Sequence, residues 1–148
     1  MTVIRIEPPQ GPRDTRWLEL RCALWPDSTQ AHLRDMHRVC ARGDHVLLAL
    51  TATGDVAGFV EASMRHDYVN GTNGSPVAFL EGLYVQAALR RMGVARQLVA
   101  AVERWARAEG VSELASDTPL SNVASQAVHR ALGFDETERV VYFHRALR

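Results

Sequence analysis

Between Gly82 and Val102 the chain carries no aspartate or glutamate, and within that window an apolar stretch gives way to Arg90-Arg91-Met92-Gly93-Val94-Ala95 and then to a long amphipathic run. The pattern is that of a strand entering a helix through a glycine turn. The first turn of a helix has main-chain N–H groups without intrahelical partners, and the helix dipole adds partial positive charge there. Such a turn is an anion site. Gly93 and Ala95 leave room for a phosphate to approach the main chain, and Arg90, Arg91 and Arg96 add charge around it. The alternative is a helix start whose glycine serves only the turn and whose arginines are solvated. A short glycine pattern alone does not separate the two.

The remaining elements follow from periodicity and punctuation. Val3 to Glu7 alternates apolar and charged residues and stops at Pro8-Pro9, which reads as a first strand. Trp17, Leu20, Arg21 and Leu24 fall at helical spacing before Pro26; Leu33, Met36, Val39 and Cys40 form the stripe of a second helix, capped by Ser28 or Thr29 and closed by Gly43. Val46 to Ala52 and Val56 to Ser63 read as strands joined by the turn Thr53-Gly54-Asp55. His66 to Pro76 is a Gly/Asn-rich loop before a strand from Val77 to Val85. A helix spans Gly93 to Glu109, with Val94, Leu98, Ala101, Val102 and Trp105 on its stripe. A short strand from Ser112 to Ser116, a helix from Ser121 to Leu132 capped by Ser121 or Asn122, and a last strand from Arg139 to His144 complete the order β-α-α-β-β-β-α-β-α-β. That order predicts a mixed α/β sheet flanked by helices.

With 148 residues, 47% of them apolar, the chain has room for one domain and one substantial core, residues 1–148. Its 17 basic residues, all arginine, balance 17 acidic ones, so nothing in the overall charge recommends nucleic acid or an anionic membrane as partner. Cys22 and Cys40 have no second ligand at metal-binding spacing and read as small buried hydrophobes rather than a disulfide or metal site. The N-terminus is too charged for a signal peptide, and the longest apolar run, near Val46 to Leu50, is too short to span a bilayer. A cytoplasmic protein is expected.

Arg90-x-x-Gly93-x-Ala95 after an apolar strand resembles the (Arg/Gln)-x-x-Gly-x-(Gly/Ala) motif of the GNAT acetyltransferases. Asn122, Ser125, His129 and Gly133-Phe134 stand where that superfamily has Asn, Ala, Tyr and Gly-Phe. The resemblance implies a GNAT fold with a central, mostly antiparallel sheet, and acetyl-coenzyme A as co-substrate, without a metal. It implies that the main chain of Arg90, Arg91, Met92, Gly93, Val94, Ala95 and Arg96 holds the coenzyme pyrophosphate. Leu83 and Val85 would hydrogen-bond the pantetheine arm where their strand splays from its neighbour, with amides near Leu83 stabilising the thioester oxyanion. Asn122 would reach the same arm, or act as a plain helix cap, two compatible roles. His129 departs from the tyrosine to which protonation of the departing thiolate is attributed, and is either a substitute donor or a packing residue.

Acyl transfer to an amine requires loss of a proton, because a lysine-like ammonium has a pKa near ~10. Alternation along Phe79-Leu80-Glu81-Gly82-Leu83 puts the Glu81 carboxylate on one face with Phe79 and Leu83, an unusual place for a charge without a partner or a task. Asp117 ends the next strand of the expected cleft. Glu81 and Asp117 could bind a cationic amine and pass its proton on. The structural alternatives are an ion pair of Glu81 with an arginine such as Arg65, and capping of the turn at Thr118-Pro119 by Asp117. Asp67, Glu81, Asp117, Asp135, Glu136 and Glu138 would suit a polycationic substrate if they converge.

A narrower resemblance lies in His66-Asp67-Tyr68-Val69-Asn70-Gly71, Phe79-Leu80-Glu81-Gly82, Ala115-Ser116-Asp117 and Glu136-Thr137-Glu138-Arg139-Val140, together with Leu24-Trp25-Pro26. These pieces look like the aminoglycoside 6′-N-acetyltransferases. By that resemblance Trp25 and Tyr68 shape the floor of a sugar site, Glu81, Asp117 and Glu138 bind ammonium and hydroxyl groups, and the protein is a homodimer. Trp25 could instead be a core anchor. The competing functions are acetylation of a polyamine or peptide amine, and a coenzyme-binding sensor or toxin acting on charged transfer RNA, against which the neutral charge counts.

Overall fold

The computed structural model describes residues 5–148. Five strands form one sheet in the order β1-β2-β3-β4-β5: β1 (Arg5–Glu7), β2 (His45–Leu50), β3 (Val56–Arg65), β4 (Val77–Val85) and β5 (Leu114–Ser116). All neighbours are antiparallel except β4 and β5, which run parallel. This is the mixed, mostly antiparallel sheet expected from the order of elements. Val3 and Ile4 of the expected first strand lie outside the described residues.

Helices α1 (Thr15–Leu24) and α2 (Thr29–Arg42) cover one face, and α3 (Val94–Ala108) covers the other, where residues around the end of α4 (Val123–Ala131) also pack. The period of two in β2 explains how one strand feeds both layers: Val46 and Leu48 join Trp17, Leu20, Met36 and Phe59 under α1 and α2, while Leu47 and Ala49 join Val60, Leu98 and Val102 under α3. The predicted caps are in place. The Ser28 hydroxyl accepts from the Ala31 amide, Asn122 caps α4 by accepting from the Ser125 amide, and Gly43 closes α2 in the left-handed region at φ 74°.

Three features differ from the sequence reading. Cys22 and Cys40 are exposed free thiols, because each lies just off the buried stripe of its helix. A 3₁₀ turn, Ala87–Leu89, lies between β4 and the glycine turn. The expected last strand from Arg139 to His144 is not formed: residues 135–148 contain neither helix nor strand. A strand exists only through a ladder partner, and among the described residues nothing pairs with the outer edge of β5.

Candidate active site

The sheet opens at a definite place. β4 and β5 pair at Ala78 with Leu114, Phe79 with Ala115 and Leu80 with Ser116, and there the pairing stops while β4 runs on to Val85. On its other edge β4 stays paired with β3, but in a shifted register: Glu61 faces Gly82 and Ala62 faces Leu80, leaving Glu81 without an opposite. This is a β-bulge, which re-aims side chains. Its effect on the main chain can be followed. The Ala78 amide donates to Glu113 on the β5 side, whereas the Gln86 amide donates to Ala57 O on the β3 side. Beyond the bulge, therefore, Leu83 and Val85 turn their main-chain groups to the open edge.

The bulge splits the expected face: Glu81 stays with Phe79, since Arg65 meets both, and Leu83 leaves it. Leu83 packs with Leu80 and Val85 in the α3 core, whereas Glu81 points to the α1/α2 face. There its carboxylate accepts from Ser63 Oγ at 2.5 Å and from Arg65 Nη2 at 2.8 Å, and Arg65 also lies 3.6 Å over the Phe79 ring. The ion pair with Arg65 considered from sequence is thus formed. Ser63 was missed; the signal was the polar alternation Glu61, Ser63, Arg65 along an otherwise apolar strand. Asp117, one residue past Ser116, is exposed and caps no turn among the described residues.

Trp25 is half-buried, edge-on to Phe59 with ring centroids 6.1 Å apart. Its ring occupies the space a side chain at Gly82 would need: a Cβ there would lie 2.4 Å from Trp25 Cη2. Tyr68 is 79% exposed in the loop from His66 to Pro76, where it is free to meet a ligand. That loop is held by Glu113, whose carboxylate accepts from the amides of Asn73 and Gly74, and by Asn70, whose amide donates to Glu138. Glu138 therefore joins the loop rather than Glu81.

On the other face, His129 receives Ser116 Oγ at 2.8 Å on Nε2, and its Nδ1 lies 2.7 Å from Ser125 O. The carbonyl can only accept, so Nδ1 carries the proton and Nε2 is the acceptor. The imidazole lies edge-on to Phe134. Ser116, also missed from sequence, puts this pair at the mouth of the gap.

The glycine turn before α3 has the predicted form. Gly93, at φ 84°, is the N-cap of α3 with no side-chain cap, and the first intrahelical bond is Gln97 to Gly93 O, so the amides of Val94, Ala95 and Arg96 have no intrahelical acceptor. Arg91 is held at φ 63°, an uncommon conformation for a side-chain-bearing residue, and with Gly93 it curls the main chain into an anion-binding concavity. The side chains divide their tasks. Arg90 braces the turn by donating from Nε to Val85 O at 2.8 Å, Arg96 donates to Ala131 O at 3.0 Å, and Arg91 and Met92 are exposed. Val94 is a core residue and can offer only its main chain.

Uncapped amides, nearby arginines and a free strand edge leading to a gap have the form expected of a site for a nucleotide-linked thioester. These features define an acyl-coenzyme A-dependent transferase. Among the described residues no group of three His, Cys, Asp or Glu could hold a metal, and no helix is long and apolar enough to cross a membrane.

Residues 13–134 match the acetyltransferase (GNAT) family, and the chain belongs to it. It is 51% identical over 130 residues to an aminoglycoside N(6′)-acetyltransferase type 1 of Acinetobacter baumannii, covering 87% of this chain and 89% of that one. Among solved structures, the aminoglycoside antibiotic 6′-N-acetyltransferase AAC(6′)-Ih from Acinetobacter baumannii superposes with a TM-score of 0.92 at 47% identity, covering 97% and 99% of the two chains. AAC(6′)-Iy in complex with the bisubstrate analogue CoA-S-monomethyl-acetylneamine gives 0.86 at 43% identity, covering 97% of each chain.

Proposed function

We propose that this protein transfers the acetyl group of acetyl-coenzyme A to the 6′-amine of an aminoglycoside, a reaction that confers resistance to the antibiotic. The observation that carries the reading is the gap opening at Leu80 and Ser116, with Glu81 on the face of Phe79 and Trp25 and Asp117 one residue past the last pair. The family and the relatives at about half identity support the chemistry. The coenzyme supplies a thioester, whose acyl carbon is open to attack by a neutral amine.

The chain's own groups do the rest. Amides at Val94, Ala95 and Arg96 hold the diphosphate, with Arg91 adding charge, and the main chain of Leu83 and Val85 aligns the arm. Asn122 keeps its cap through Oδ1, and its amide nitrogen donates to the same arm. On the acceptor side Trp25 and Tyr68 flank the sugar, Glu138 takes a hydroxyl or ammonium group, and Glu81 and Asp117 attract the ammonium and take its proton. Ser63 and Arg65 hold the Glu81 carboxylate in place as it does so. The described residues form a single sheet with a core on each face, which supports one catalytic domain, and the co-substrate is a cytoplasmic metabolite, which supports action in the cytoplasm.

The working unit in this reading is a homodimer. Residues 135–148 leave the sheet, with Val141 at 71% exposure, Tyr142 at 87% and Phe143 at 92%. A groove of about 1380 Å³ lies between the unpaired edge of β5, α4 and residues 133–140. An extended apolar segment with no ladder partner and an open edge with no strand are complementary, and reciprocal exchange between two copies satisfies both.

The test is release of free thiol from acetyl-coenzyme A with kanamycin-like compounds beside spermidine and a lysine peptide, with the acetylated position read by NMR. Preferential turnover of the polyamine or peptide would replace the aminoglycoside reading.

A further inference from the structure

The three most buried polar residues among those described are absent from the chemistry above. Glu61 on β3, Arg21 on α1 and His32 on α2 are exposed by only 4%, 5% and 2%. Glu61 accepts from Trp17 Nε1 at 2.8 Å and from Arg21 Nη1. Burial pushes the Glu61 carboxyl above the usual carboxylate range, and Arg21 and Trp17 offset only part of that shift. Arg21 in turn donates from Nε to His32 Nδ1 at 3.3 Å, and His32 Nε2 lies 2.9 Å from the carbonyl oxygen of Trp25. That carbonyl can only accept, so Nε2 carries the proton and Nδ1 is left as acceptor for Arg21. Every buried polar side-chain group in this set of contacts has a partner, and Arg21 also lies 3.6 Å from the half-exposed Asp35 carboxylate.

The chain ends at Trp25 twice. His32 holds its main chain, and the Arg21 guanidinium lies 4.7 Å from the centre of its ring. The far edge of the ring enters the space left by Gly82, which is the residue facing Glu61 across the β3–β4 ladder. A buried ion pair gives little stability compared with apolar residues of the same volume, so stability alone does not explain it. What it does here is fix one aromatic ring relative to the bulge that carries Glu81.

We propose that Glu61, Arg21 and His32 are positioning residues that set Trp25 as the wall of the acceptor site and thereby determine the affinity for the aminoglycoside. This rests on the reading of Trp25 as part of that site. Without the network the Trp25 ring is held by packing alone and tips away from Gly82. The acceptor amine then loses its alignment with Glu81, while the coenzyme site beyond β4 is untouched.

The experiment compares His32→Leu, which removes both hydrogen bonds, with His32→Gln, whose amide can donate to Trp25 O and accept from Arg21. The expected result is an aminoglycoside KM raised about tenfold in His32→Leu, restored to within about twofold in His32→Gln, with the KM for acetyl-coenzyme A unchanged in both. In a Trp25→Ala background His32→Leu then adds nothing, since both changes act through one ring. Arg21→Met/Glu61→Leu, which removes the charges together, gives the same pattern and guards against a folding failure in His32→Leu. An unchanged aminoglycoside KM in these variants beside an impaired Trp25→Ala overturns this inference alone. Equal additional losses in the Trp25→Ala background also overturn it, and an unimpaired Trp25→Ala removes the reading of Trp25 as well.

Discussion

Leu80 and Ser116 are the last residues at which β4 and β5 pair, and the Ser116 hydroxyl lies 3.3 Å from the Leu80 carbonyl across that final rung. One step further along each strand stand Glu81 and Asp117. The sheet thus parts where two carboxylates begin, with His129 on the opposite face behind Ser116. In the proposed reaction the acceptor amine would meet Glu81 on one face and the coenzyme would lie on the other.

The acid–base assignment is checked by Glu81→Gln and Asp117→Asn. Each is expected to lower kcat about 100-fold, the usual contribution of a positioned base, while calorimetry shows unchanged affinity for coenzyme A. Full activity in both variants would remove the assignment.

Gly93→Ala tests the anion site. A Cβ at Gly93 meets nothing within 4 Å, so the cost is confined to the main chain, which sits at φ 84°. Holding alanine there costs about 1 kcal/mol, and the expected weakening of coenzyme A binding is about fivefold, with the aminoglycoside KM unaltered. Binding at full strength would place the diphosphate elsewhere.

At Gly82 the obstacle is contact rather than conformation. Gly82→Ala puts a methyl group 2.6 Å from Trp25 Cζ2, in a ring that is already packed. The expected outcome is a loss of about 1–3 kcal/mol in urea unfolding, as for other overpacked sites, together with a raised aminoglycoside KM. A variant with parental stability and KM would show that the ring moves freely.

Asp14 sets a limit on acid stability. Its carboxylate caps α1 by accepting from the Arg16 amide at 2.9 Å, and the Arg16 side chain at 2.7 Å holds its pKa at about 2, against 3.8 when free. A pKa lowered by folding contributes stability that is full above the free value and lost as pH falls through the folded one. Asp14→Ala should therefore cost about 2 kcal/mol at pH 7, and the difference from the parent protein should shrink between pH 4 and pH 2. A difference independent of pH would exclude the charge as its source.

The exchange of residues 135–148 between copies is tested with Phe143→Asp. Sedimentation velocity is expected to give a dimer for the parent protein and a monomer for the variant, because a charge replaces the most exposed aromatic ring of the segment. A monomeric parent would refute the exchange.

Much of the fold was legible because its determinants are local. The limits of β4, Val77–Val85, agree with the sequence reading, and so do the caps at Ser28, Gly43 and Asn122, since a cap depends on residues a few positions away. The glycine turn before α3 was readable for the same reason. Side-chain alternation also placed Glu81 with Phe79 on one face, although Leu83 uses the other.

The face of Leu83 depends on one unpaired residue in β4, and a bulge belongs to a pair of strands rather than to either sequence. The network under Trp25 was equally hidden, for Arg21 and Glu61 lie 40 residues apart and meet only once α1 has packed on the sheet. Residues 139–144 show the same limit from the other side, since their β-branched and aromatic run favours a strand but cannot supply the edge it needs. Sequence alone determined the local conformations and the chemistry available. Only the tertiary structure decided which groups face one another, because register and burial are set by contacts between segments that the chain order keeps apart.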